Sequence, residues 1–138
     1  MKKKTILVLA SLFILALTLS GCADFSFNPI GRWRIAEERY FENDVLISTR
    51  EIKESDYGGQ TALVFKKTGT GYIDSGAKNK LEFTYEYTDS SVSIKLSDAG
   101  AVYEVGDNGS ELIATIEDYD DNSSGKVVHC KRKTVFKK

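Results

Sequence analysis

Between Leu81 and Ile116 apolar and polar side chains alternate with a period of two. Leu81, Phe83, Tyr85 and Tyr87 share one face of an extended segment, and Glu82, Thr84 and Glu86 share the other. After Asp89-Ser90 the period resumes in Val92, Ile94 and Leu96 against Ser91, Ser93, Lys95 and Ser97. Asp98-Ala99-Gly100 leads to Ala101, Tyr103 and Val105 opposite Val102 and Glu104. Gly106-Asp107-Asn108-Gly109 then breaks the chain before Leu112, Ala114 and Ile116. Successive residues of a strand point to opposite faces, so this period with Gly, Asp and Asn punctuation predicts antiparallel strands joined by hairpins.

The first half of the chain is less regular. Ala62–Phe65, the turn Lys66-Lys67-Thr68-Gly69-Thr70-Gly71 and Tyr72-Ile73 predict another hairpin, and Val45–Thr49 predicts a strand. Arg32–Phe41 is read as one long strand, although Ala36-Glu37-Glu38-Arg39 also suits a helical turn. Asp118–Lys126 is read as a polar loop and Val127–Lys131 as the last strand. The expected class is therefore all-β. About eight short strands in sequence can curl into a small antiparallel meander barrel, which buries the apolar faces and removes open edges. A two-sheet β-sandwich satisfies the same periodicity.

The N-terminus has a different pattern. Lys2, Lys3 and Lys4 precede an uncharged apolar run, Ile6–Leu19. Such a run directs export but falls short of the ~20 residues of a spanning helix. It ends in Leu19-Ser20-Gly21-Cys22, which resembles the lipobox of bacterial lipoproteins: an aliphatic residue, two small residues and the cysteine that takes the lipid. The resemblance implies a signal peptide over 1–21, cleavage before Cys22 and a diacylglyceryl thioether on Cys22. An ordinary secretory signal, cut near Gly21 or Ala23, is the plain alternative. Two or more acyl chains give stable anchoring at about 0.8 kcal/mol per buried methylene. The protein is then expected on a bacterial cell membrane or outer membrane, outside the cytoplasm. Residues 22–30 form the lipidated tether, 31–133 the barrel domain and 134–138 a basic, frayed tail. With Cys22 lipidated, Cys130 has no disulfide partner, and the domain rests on its core.

Gly31-Arg32-Trp33 matches the Gly-x-Trp motif that opens lipocalin and calycin barrels. Leu63-Val64-Phe65 with Gly69-Thr70-Gly71, then Phe83-Thr84-Tyr85 and Val92-Ser93-Ile94, resemble the small lipocalin-like domains of bacterial lipoproteins. That resemblance implies that Trp33 plugs one barrel end, with Gly31 beside it. A basic side chain of the last strand would cross the indole, here Arg132. It also implies a small amphipathic ligand. The tyrosine row Tyr85, Tyr87 and Tyr103 is the candidate lining for it, although filling the core is the stronger reading of that row.

The side-chain chemistry suggests binding rather than reaction. Asp118, Asp120 and Asn122 have the alternate oxygens of a calcium loop, but no Glu closes a twelve-residue ring, so a solvated hairpin tip is the stronger reading. His129 and Cys130 are strand neighbours and point apart. His129 is the only histidine. No nucleophile–base pair or cofactor loop stands out, so neither an enzyme nor a cofactor is expected. With 19 basic and 20 acidic residues, the chain is not built to coat nucleic acid. The expected partners are the membrane, through Cys22, and either a small amphipathic ligand or an envelope protein. A filled barrel with a purely structural or envelope-interaction role is the alternative, since an eight-stranded barrel can be just filled by its own side chains.

Overall fold

The computed structural model of the protein describes residues 26–138. The signal segment 1–21 and the lipidation candidate Cys22 lie outside the described residues.

Nine strands follow one another: β1 (Gly31–Glu42), β2 (Val45–Glu51), β3 (Ala62–Phe65), β4 (Thr70–Asp74), β5 (Leu81–Tyr87), β6 (Ser91–Lys95), β7 (Gly100–Gly106), β8 (Glu111–Asp121) and β9 (Val128–Lys137). All neighbours are antiparallel. The order β1-β3-β4-β5-β6-β7-β8-β9 closes on itself because β9 also pairs with β1. This is an eight-stranded meander barrel, the first of the two architectures that the alternation allows; a sandwich would leave β1 and β9 apart. The ninth strand, β2, lies outside the ring.

Strand β1 is long enough to serve two sheets. Gly31–Arg34 pair with β3 and complete the barrel. Beyond a register shift between Ile35 and Glu37, Glu37–Glu42 pair with β2 instead. Asn43 and Asp44 make the intervening turn with φ of 49° and 64°. Asn and Asp tolerate this left-handed geometry, which matches the twist of a two-residue hairpin.

The barrel interior is solid. Trp33, Leu63, Phe65, Phe83, Val92, Ile94, Tyr103, Leu112 and Phe136 form one buried cluster. Phe83 lies at 5.3 Å from Phe65, centroid to centroid. It packs down onto Gly71, where a Cβ would come within 2.6 Å of the ring and 2.2 Å of the Val64 carbonyl oxygen.

Three expectations about boundaries are corrected. The described part of the presumed tether, Ser26–Ile30, packs into the barrel, with Phe27 and Pro29 buried. The presumed frayed tail is strand to Lys137, with Thr134, Val135 and Phe136 buried. The acidic stretch read as loop is strand as far as Asp121. Its pairing with Val128–Arg132 satisfies backbone groups that a loop would leave to water.

Candidate functional site

Two ends of the barrel differ in construction. The base holds the first residues of β1 and the last of β9, with the turns after β3, β5 and β7. Phe27 closes it, with ring centroids 6.0 Å from Trp33 and 6.0 Å from Tyr87. Its amide donates to Asp89 Oδ1 at 3.2 Å. The buried indole Nε1–H of Trp33 donates to the Pro29 carbonyl at 2.8 Å. Trp33 is thus fully buried at this end of the barrel, behind Phe27.

The cation over that indole is Lys138, whose Nζ lies 5.4 Å from the ring centroid. Arg132 is not there. Register places it opposite Tyr40 on β1 and Glu117 on β8, seven residues up β1 from Trp33. Its Nε lies 3.7 Å from Glu117 Oε2. The last strand extends beyond the sequence-based estimate, which shifts the capping role to the chain's final residue.

The three candidate tyrosines do different things. Tyr103 is buried, edge-on to Phe136 at 5.9 Å, and burial raises its pKa. Tyr85 packs edge-on to Phe65 at 4.9 Å and donates its hydroxyl to the Lys66 carbonyl at 2.6 Å. Tyr87 stays half-exposed on the rim beside Phe27. None of the concavities described brings the three together.

At the other end, the outer halves of β1, β8 and β9 continue past the barrel and carry β2 as a fourth strand. The sequence marks Arg32–Phe41 and Val45–Thr49 as strands, but not that they continue past the ring as a flange. One face continues the barrel interior: Tyr40, Arg132 and Glu117 in one cross-strand row, Glu42, Cys130 and Tyr119 in the next. The Tyr40 hydroxyl lies 3.0 Å from Glu42 Oε1 and 3.3 Å from the buried Cys130 Sγ. Those two contacts, Cys130 first, hold its pKa above the usual phenol value. Arg50 pairs with Glu38 at 3.2 Å. Glu38, Tyr40, Ser48, Arg50, Tyr119 and Arg132 surround an open cleft of about 390 Å³. Each arginine there already faces a glutamate. A second groove of about 510 Å³ crosses the barrel wall between Lys66, Thr84 and Lys95.

The opposite face of the flange holds His129, as strand alternation requires for the neighbour of Cys130. Its Nδ1 lies 2.7 Å from Asp120 Oδ1 and its Nε2 2.8 Å from Asp118 Oδ1. A neutral imidazole has one N–H, so only the imidazolium donates to both carboxylates. The Asp120 hydrogen bond and the Asp118 charge raise the His129 pKa against desolvation. Asp118 and Asp120 are therefore engaged in a histidine clamp, and the Asn122 main-chain carbonyl accepts the Gly125 N–H in the turn. The three oxygens do not assemble as a calcium loop. Among the described residues no cluster of three or more His, Cys, Asp or Glu side chains could hold a metal ion.

The clamp makes a testable pH dependence. A raised folded-state pKa means its stabilisation is complete below the unfolded value near 6.5 and is lost as pH rises through the folded value. NMR titration should find His129 above about 6.5, and Asp120→Asn should bring it down. A wild-type value at or below the ordinary one would rule the clamp out.

Strand β2 is exposed along its whole length, with Val45, Leu46 and Ile47 at 61%, 50% and 53%. Ile52 donates its N–H to the Ala36 carbonyl. Alternation in an antiparallel ladder then turns the N–H and C=O groups of Thr49 and Glu51 outward. Among the described residues nothing pairs with the outer edge of β2, a row of main-chain groups beside aliphatic side chains.

No protein-family model, curated protein or solved structure matches this chain.

Proposed function

We propose that this chain is an exported bacterial lipoprotein, anchored through Cys22, whose β-barrel domain binds a protein partner and performs no bond chemistry. The partner contributes an extended segment that adds to the outer edge of β2. The single observation that carries the reading is the solid barrel. With Trp33, Leu63, Phe65, Phe83, Val92 and Leu112 at 3% exposure or less, a small amphipathic molecule has no interior to enter. Recognition then falls to the outside.

Strand addition suits β2 for physical reasons. Main-chain hydrogen bonds supply affinity, and side chains on alternate positions supply selection. An exposed aliphatic edge is a hazard that proteins usually blunt with charge, proline or bulges. Here Ile47 is left unpaired by the register shift opposite Tyr40 and Phe41, and Arg50 and Glu51 charge one end. Those features restrict which strand pairs without covering Leu46. The lipobox supports the envelope location, and the same solid core suits the envelope-interaction role expected as the alternative to ligand storage.

The test uses a photo-crosslinking amino acid at Leu46 or at Thr84 on the barrel wall, in cells producing the full chain. Discrete protein adducts are expected from position 46, not from 84, and Thr49→Pro should abolish them by removing an outward N–H. Equal adducts from both positions, or a stoichiometric small molecule in native mass spectra of the purified domain, would overturn the proposal.

A further inference from the structure

We infer that the plugged base of the barrel is a bilayer-docking face, so that the flange stands away from the membrane. The inference rests on the proposed lipid at Cys22 and adds an orientation that anchoring alone does not give. A lipid on a long free stalk would leave the domain to tumble. Here the chain is fixed almost at once. Phe27 is 3% exposed, wedged against Trp33 and Tyr87, with its amide held by Asp89. Pro29 is buried and its carbonyl holds the indole N–H.

Covalent geometry sets the rest. Five peptide units separate Cys22 from Phe27, and an extended chain spans at most about 3.6 Å per residue, so the thioether lies within roughly 18 Å of the plug. Phe27 seats the chain at the base, so the base lies within that reach of the attachment point. Strand β1 runs from Gly31 at the base to Glu42 at the flange. At about 3.3 Å per residue this carries the β1–β2 turn up to roughly 40 Å away, less the strand tilt.

The rim has side chains suited to headgroups. Lys66 and Lys67 are exposed on the turn after β3. Lys138 is exposed at the chain end, with Nζ 3.3 Å from the Asn28 carbonyl. Asp89, which accepts the Phe27 amide, and Asp107, which accepts the Ser110 hydroxyl at 3.0 Å, share the rim and offset two of these three lysines. Tyr87 presents a half-exposed amphipathic ring, which belongs at a membrane interface. Basic residues near an anionic surface are drawn to it.

The test takes lipidated full-length protein, extracted from membranes and reconstituted into phosphatidylethanolamine/phosphatidylglycerol vesicles. Lys67→Cys and Ser124→Cys, both in exposed turns, are labelled separately with a nitrobenzoxadiazole dye. A lipid with a headgroup spin label should quench the dye at 67 severalfold more than at 124. Equal quenching, or stronger quenching at 124, in protein that floats with the vesicles would overturn the orientation while leaving the anchor intact. Protein that does not float would overturn the anchor and the orientation together.

Discussion

Trp33→Ala is expected to destabilise the domain by about 3–5 kcal/mol, a large share of the 5–15 kcal/mol typical of a whole domain. The side chain is fully buried, so its removal forfeits transfer energy and leaves a cavity at the barrel base. It also orphans the Pro29 carbonyl, the acceptor of the indole N–H, and removes the wall against which Phe27 packs. The loss should spread outward in a definite order. Amides of residues 26–30 should lose hydrogen-exchange protection first, while the flange keeps its own. Trp33→Phe retains much of the apolar area and loses the hydrogen bond, which costs about 1–2 kcal/mol. Arg132→Ala is the informative control: its guanidinium faces Glu117 near the flange, so the plug should not register its loss. Urea unfolding checks all three. A Trp33→Ala variant within about 1 kcal/mol of the parent would mean that the plug is not the keystone of the base.

How much of this was legible in the sequence depended on where each strand has water on one face. Strands β5, β6 and β7 have a core on one side and solvent on the other, so Phe83, Val92, Ile94 and Tyr103 stood out against Glu82, Ser93 and Glu104. Strand β1 was blurred. The register shift at Ala36 interrupts the period, which is why Ala36-Glu37-Glu38-Arg39 also suits a helix. Strand β9 was misread for the opposite reason. Phe136 points into the barrel while Val135 is buried on the outer side beneath charged neighbours, so both faces are covered and alternation disappears among lysines. Strand β2 was legible as a strand, but its place outside the ring was not, because both its faces meet water. The choice of Lys138 over Arg132 as the indole's cation needed the β1–β9 register, which barrel closure fixes and no local pattern records.

Those charged neighbours carry the second large effect. Glu111 is buried at 5% exposure, and a carboxylate there must be paired or its desolvation goes uncompensated. Arg39 supplies the partner through a two-pronged contact, Nη2 to Oε2 at 2.6 Å and Nη1 to Oε1 at 3.3 Å. It also reaches Glu37 at 2.9 Å. Lys137 completes the group, 3.0 Å from Glu37 and 3.7 Å from Glu111. Two acids and two bases thus tie β1, β8 and β9 together along the outer side of the barrel, from Glu111 and Lys137 near the base past Val135 to Arg39.

Arg39→Met keeps the apolar stem and removes the charge, which leaves two carboxylates facing one lysine. Breaking a buried pair costs about 3–5 kcal/mol; the Arg39 side chain is 23% exposed, and water reduces this to about 2–3 kcal/mol. Adding Glu111→Gln removes the stranded charge, and the double variant should recover at least about 1 kcal/mol, a coupling that only partners in contact show. Acid gives an independent reading. Burial alone would raise the Glu37 pKa, but hydrogen bonds from Lys137 and Arg39 hold it below the ordinary value. The resulting stability is present above the unfolded carboxylate value, about 4.3, and is lost as pH falls through the folded one. The parent should therefore lose stability on acidification more steeply than Arg39→Met, whose network is already broken. Parallel acid profiles for the two, or an Arg39→Met cost below about 0.5 kcal/mol, would mean that Lys137 alone compensates the buried Glu111.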